Sequence, residues 1–104
     1  MIDIVIPNFN GRSLLDICLK SIYNQSYTAW RIILVDNGSS DGSAIYVREN
    51  FPEISLLALA QNTGFSSAVN QGIEAGDAPL VFLLNNDTEL EPDCLHRLAD
   101  AATQ

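Results

Sequence analysis

The stretch LLNNDTELEPD, residues 83–93, passes from an apolar run into two asparagines and an aspartate, with Glu89, Glu91 and Asp93 following. A carboxylate where a buried strand ends can turn the chain, or it can hold a divalent cation against phosphate oxygens. Three further segments share this composition after an apolar run: PNFNG (7–11), VDNGSSDG (35–42) and AQNTGF (60–65). Asn, Asp, Ser and Gly serve any loop, so polarity alone says little. Carboxylates at two of these boundaries, Asp36 and Asp87, are more specific.

The elements that must position these groups can be read from periodicity. IDIVIP (2–7) and WRIILVD (30–36) are short, β-branched and near-continuously apolar, as buried strands are. ISLLAL (54–59) and PLVFLL (79–84) read as third and fourth strands. Between them, 13–25 carries apolar residues at helical spacing, with Ser13 and Asp16 set as a capping box. Asp41 is placed to cap a helix over 43–50, a further helix spans 66–76, and Pro92 opens the last one at its favoured first position. Asp93 then falls in that helix's first turn, where negative charge is favoured. Strands and helices alternate, and strands apolar on both faces belong to a parallel sheet covered on both sides. The expected fold is therefore α/β, a Rossmann-like, mainly parallel sheet with helices on both faces. In such sheets ligands bind beyond the strands' C-terminal ends, where all four polar loops fall.

Composition bounds the rest. The 104 residues make one small domain, or part of one, with no internal boundary, and 47% apolar against 17% charged residues is a globular balance. Thirteen acids against five bases, net charge −8, argue against nucleic acid as partner. Cys18 and Cys94 lie in helical stretches without a CxxC pair and read as reduced thiols. No secretory leader or membrane-spanning run is visible, so a soluble, cytoplasmic chain is expected.

Several motifs are missing. The first strand is followed by a single glycine, not GxGxxG, and GxxxxGK[ST] does not occur. NGSSDGSAIYVRE spaces Asn37, Ser39, Asp41 and Gly42 as a calcium loop would, but Arg48 stands where the bidentate acid belongs.

VIPNFNG, ILVDNGSSDGS, NTGFSSAVNQGI and VFLLNNDTEL together resemble, in order and spacing, the family-2 glycosyltransferases, which have the GT-A fold. The rhamnosyltransferase-like enzymes of bacterial polysaccharide synthesis look most similar. The resemblance covers essentially the whole chain and implies the N-terminal, nucleotide-sugar-binding part of a GT-A domain, apparently truncated. It implies that Pro7, Asn8, Phe9 and Asn10 lie along the nucleobase and that Asp36 accepts the ring N–H of a pyrimidine. Gly64 would let backbone approach the diphosphate, and Asn70 with Gly72 matches the family's Asn-x-Gly. For Asn70, ligand contact and a bond to a neighbouring loop both remain open. Asn86 would meet ribose and Asp87 would hold Mn2+ or Mg2+ bridging the two phosphates, although Asn85 and Asn86 stand where many members carry acids.

The implied activity is metal-dependent, inverting transfer from a UDP- or dTDP-sugar to a saccharide or lipid-linked acceptor in cell-surface polysaccharide synthesis. The implied location is cytoplasmic, peripheral at the membrane's inner face in the full-length protein. The catalytic base is unknown and expected downstream of residue 104. Two alternatives stand beside this: a non-catalytic nucleotide-sugar-binding or assembly module, and an unrelated α/β signalling domain. A sheet cut short would expose an edge, so self-association is expected.

Overall fold

A computed structural model describes residues 1–102. Eight elements alternate: β1 (Ile2–Asn8), α1 (Arg12–Tyr23), β2 (Trp30–Asp36), α2 (Ser43–Asn50), β3 (Ser55–Ala58), α3 (Phe65–Ala75), β4 (Leu80–Leu83) and α4 (Cys94–Ala102). The strands form one parallel sheet in the order β3-β2-β1-β4, with Asn8 in register with Asp36. The chain moves outward from β1 through β2 to β3, then crosses back to place β4 on β1's other side. Strand order therefore reverses at β1, and a ligand crevice is expected beyond its end.

Alternate residues of the strands serve opposite faces. Ile2, Ile4, Ile6, Ile32 and Leu34 form one core with Leu15, Cys18, Leu19 and Ile22 of α1, Val47 of α2 and Leu95 of α4. On the other face α3 lies against β1 and β2. Gly72 makes this approach possible, because a Cβ there would stand 2.5 Å from Val5 Cγ1 and 3.0 Å from Val35 Cγ2. Helices thus cover both faces, as the apolar strands imply.

Local details differ from the sequence reading. The Ser13–Asp16 capping box is not formed: α1 starts at Arg12 behind Gly11, which offers no side-chain cap. Its first N–H instead donates to Asp41 Oδ2 at 2.9 Å. Asp16 is drawn away to Lys20, at 2.9 Å, and to the Tyr46 hydroxyl, and these hydrogen bonds lower its pKa, Tyr46 foremost. Asp41 sits one residue before the cap position of α2, which Gly42 takes at φ 84°. Its Oδ1 accepts the Ser43 N–H at 3.0 Å, so one carboxylate secures the starts of two helices. At α4, Pro92 belongs to a turn closed by Cys94 N–H to Glu91 O at 3.0 Å, and the helix starts two residues later than expected. Asp93 accordingly precedes the helix and accepts the Ser26 hydroxyl at 2.9 Å.

Among the described residues β3 and β4 each have an edge without a neighbouring strand, and Val81 and Leu83 of β4 are 46% and 42% exposed. An apolar groove of about 340 Å³ runs between β4 and α4, lined by Leu80, Phe82 and Leu98 among others.

Candidate functional site

The polar loops meet at the C-terminal end of the sheet around Asn8, the last residue of the central strand. Asn8 is 1% exposed, and its Nδ2 donates to Asp36 Oδ1 at 3.0 Å. Ser39 in the β2–α2 loop closes over the same carboxylate, its hydroxyl donating to Oδ1 at 2.6 Å and its N–H to Oδ2 at 3.3 Å. On the far side of Asn8, Asn86 Nδ2 donates to Asn8 Oδ1 at 2.8 Å. A continuous chain of side chains therefore runs Ser39–Asp36–Asn8–Asn86, across the point where strand order reverses. Asp36 lies 3% exposed within this chain. In the free protein it fastens two loops, and a base N–H would have to share its remaining acceptor capacity.

Asn10 takes the left-handed conformation, φ 51°, which asparagine tolerates better than most residues. Its own N–H donates to Ser39 Oγ at 2.8 Å and its Oδ1 accepts the Ser40 N–H at 2.8 Å. The PNFNG and VDNGSSDG loops are thereby one unit.

Asn37 ties in the third loop. Its Oδ1 accepts the Thr63 N–H at 2.9 Å, and its Nδ2 donates to Asn62 Oδ1 at 3.0 Å and to Gly64 O at 3.1 Å. Gly64, φ 89° and ψ 160°, then delivers the chain into α3, with open space where a side chain would stand. A cleft of about 150 Å³ results, lined by Pro7, Asn8, Phe9, Asn37, Asn62 and Phe65. Phe9 and Phe65 are 50% and 59% exposed, an unusual cost for two phenyl rings at one cleft.

The acidic loop is a β-turn, Thr88 N–H donating to Asn85 O at 3.1 Å, with Asn86 and Asp87 at its centre. Asp87 is exposed. The segment is stitched from below by three side chains, Cys18 and Ser21 of α1 and Gln25 just past its end. Cys18 Sγ approaches Asn85 O at 3.8 Å, Ser21 Oγ accepts the Leu90 N–H at 3.0 Å, and Gln25 Nε2 donates to Glu91 O at 2.6 Å while its Oε1 accepts the Leu95 N–H at 2.9 Å. Burial pushes the Cys18 thiol up to about 11, with the Asp87 charge adding to the shift, so it remains a neutral packing group at neutral pH.

The structure brings Pro7, Asn8, Phe9, Asn10, Asp36, Gly64 and Asn86 to one end of the sheet. Asn70 is not brought there: it is exposed on α3, roughly 9 Å along the helix from Gly64, and does not line the cleft. Sequence reasoning missed Gly11, Asn37, Ser39, Asn62 and Phe65. Asn37 directly follows a strand-end aspartate and Phe65 follows the glycine that opens a helix, which are the signals available for them.

Among the described residues no three His, Cys, Asp or Glu side chains converge as a metal cage. Asp87, exposed at a turn tip beside the polar cleft, fits a looser mode in which one carboxylate anchors Mg2+ or Mn2+ and phosphate oxygens and water complete the shell.

The model of the family described as Glycosyl transferase family 2 matches residues 3–104. Over 99% of this chain there is 34% identity to an uncharacterized glycosyltransferase, YibD, of Escherichia coli, of whose length the chain spans 30%. Among solved structures, Staphylococcus aureus TarS 1–349 in complex with UDP-GlcNAc superposes with a TM-score of 0.82 at 20% identity, covering 98% of this chain and 30% of that one. The mannosyltransferase PcManGT of Pyrobaculum calidifontis, in complex with GDP-Man and Mn2+, gives 0.73 at 25% identity over 83% of this chain and 27% of its own. The architecture described above is the GT-A architecture of these transferases.

Proposed function

The chain belongs to glycosyl transferase family 2, and from that premise we propose that its four loops form the donor site of a metal-dependent, inverting glycosyltransferase taking a UDP- or dTDP-sugar. The observation that carries the proposal is the cleft between the exposed rings of Phe9 and Phe65, adjoining the Asp36–Asn8–Asn86 chain that leads to Asp87. A planar base enters between aromatic rings, ribose lies toward Asn86, and the diphosphate reaches Asp87. The TarS and PcManGT complexes support a nucleotide-sugar ligand, and the latter supports a divalent metal.

The chemistry assigned to each residue follows from charge. An acidic chain repels a diphosphate, and a cation held at Asp87 would neutralise it and stabilise the departing nucleoside diphosphate. The open N-terminus of α3 behind Gly64 favours the same negative charge. Pro7 and the Asn8–Asp36 pair hold the base-facing loop still. The acceptor, a saccharide or lipid-linked saccharide of cell-surface polysaccharide synthesis, and the base that deprotonates it lie with the part of the enzyme outside this chain. The proposed setting is the cytoplasm, peripheral at the membrane's inner face in the full-length protein.

Titration with UDP and Mn2+ tests the cleft. Phe9→Ala and Phe65→Ala are each expected to weaken UDP binding by roughly tenfold or more, since base–aromatic stacking contributes about 1–3 kcal/mol. Unchanged affinity in both variants would place the base elsewhere. We further propose that copies of this chain associate through β4 and its apolar groove. Light scattering should show mass rising with concentration, and Val81→Lys with Leu83→Lys should restore the monomer; a monomer at all concentrations contradicts it.

A further inference from the structure

The Asn8–Asn86 contact has a direction, and the direction can be derived. Asp36 is a carboxylate that only accepts, so it fixes the buried Asn8 amide with Nδ2 toward Asp36, 3.0 Å away, and Oδ1 toward Asn86. Asn8 Oδ1 needs a donor, which fixes the Asn86 amide in turn, with Nδ2 inward at 2.8 Å. Reversing either amide would set two acceptors or two donors face to face. With its nitrogen held, the Asn86 oxygen is directed away from Asn8, as the two atoms diverge from Cγ.

Gly11 supplies an independent observation. Its φ of −103° is open to any residue, so conformation does not require a glycine there. Space does: a Cβ would stand 2.2 Å from Asn86 Nδ2 and 2.5 Å from Asn8 Oδ1, against the two atoms of that hydrogen bond. The N-terminus of α1 is built around the amide pair.

We infer that Asn8 and Gly11 are positioning residues, a clasp that presents the Asn86 carbonyl oxygen as an acceptor for a ribose hydroxyl of the bound nucleotide. Neither residue need touch the sugar. Asp36, at the base end, thereby sets the polarity of the Asn86 amide at the ribose end, with only Asn8 between them. The ligand part of this inference rests on the donor-site reading; the clasp itself does not.

The test has two arms on this chain. In the first, the side-chain amide of Asn86 is followed by NMR without ligand. It should show two resonances shifted from free-amide positions, collapsing toward those positions in Asn8→Ala and in Gly11→Ala. In the second, Mn2+-dependent binding of UDP is compared with that of inorganic pyrophosphate, which has no ribose. Both variants should weaken UDP by about tenfold, one hydrogen bond's worth, and leave pyrophosphate within about twofold. Gly11→Ala keeps every side chain of the network, so it serves if Asn8→Ala does not fold. Free-amide shifts for Asn86 in the unaltered chain, or equal losses for UDP and pyrophosphate, would overturn the inference. Failure of the donor reading looks different, because the unaltered chain would then bind no UDP at all.

Discussion

Asp87→Ala is expected to weaken Mn2+-dependent UDP binding by roughly a hundredfold or more, about 2.7 kcal/mol, and to leave the melting temperature almost unchanged. The size follows from the composition of the turn. Asn85 and Asn86 bring amides where acids could stand, so the metal would depend on one protein carboxylate, with phosphates supplying the rest. Removing a sole anchor has no compensation from a neighbour. The lack of effect on folding follows from exposure. The turn is held by backbone and by Cys18, Ser21 and Gln25 of the segment beneath it, not by the Asp87 side chain. Binding of UDP without metal should be weak in both proteins. Calorimetric titration and thermal melting of the same two samples check both halves. An affinity within threefold of the unaltered chain would remove Asp87 from the metal's shell.

The second large effect lies at the opposite end of the sheet and concerns folding. Asp3, 1% exposed, takes Arg31 Nε at 2.8 Å on Oδ1 and the Ala78 N–H at 2.9 Å on Oδ2. Arg31 Nη2 also lies 2.8 Å from Oδ1 and bridges on to Asp77 at 2.7 Å. One carboxylate thus joins β1, β2 and the α3–β4 connection. Asp3→Ala would strand the Ala78 N–H and leave Arg31 only its exposed partner, at a cost of about 2–4 kcal/mol. Domains of this size hold about 5–15 kcal/mol, so melting should fall by roughly 10 °C or more. In the fraction that remains folded, UDP affinity should stay the same, since Asp3 is at the N-terminal end of β1 and the cleft is at its other end. A melting change under about 3 °C would mean that the network contributes little.

These two residues also show what a sequence can and cannot reveal. Asp87 is legible because it interrupts an apolar run, and the two central strands are legible because IDIVIP and WRIILVD have no polar face. Asp3 sits inside the first of those runs and carries no local sign of its role. Its partners are 28 and 75 positions away, and only the sheet order brings them together. The same holds for Asp41: its capping of α2 is a short-range pattern, whereas its bond to Arg12 depends on β1 and β2 lying side by side. The missed start of α1 is the other half of that contact. Loop contents were readable from composition, but the hydrogen bonds among Asn8, Asp36, Ser39 and Asn86 follow from the β3-β2-β1-β4 order, which periodicity leaves open. Phe65 would pass for a buried helix residue until its exposure is seen.

On the donor-site reading, this end of the sheet binds a nucleoside diphosphate through a metal. Calorimetric titration of the chain with UDP, dTDP and GDP, each with and without Mn2+, addresses it most directly. Binding is expected to need Mn2+, to prefer a pyrimidine nucleotide and to be lost in Asp36→Ala and Asp87→Ala. Binding that ignores metal and base alike, or persists in both variants, would contradict it.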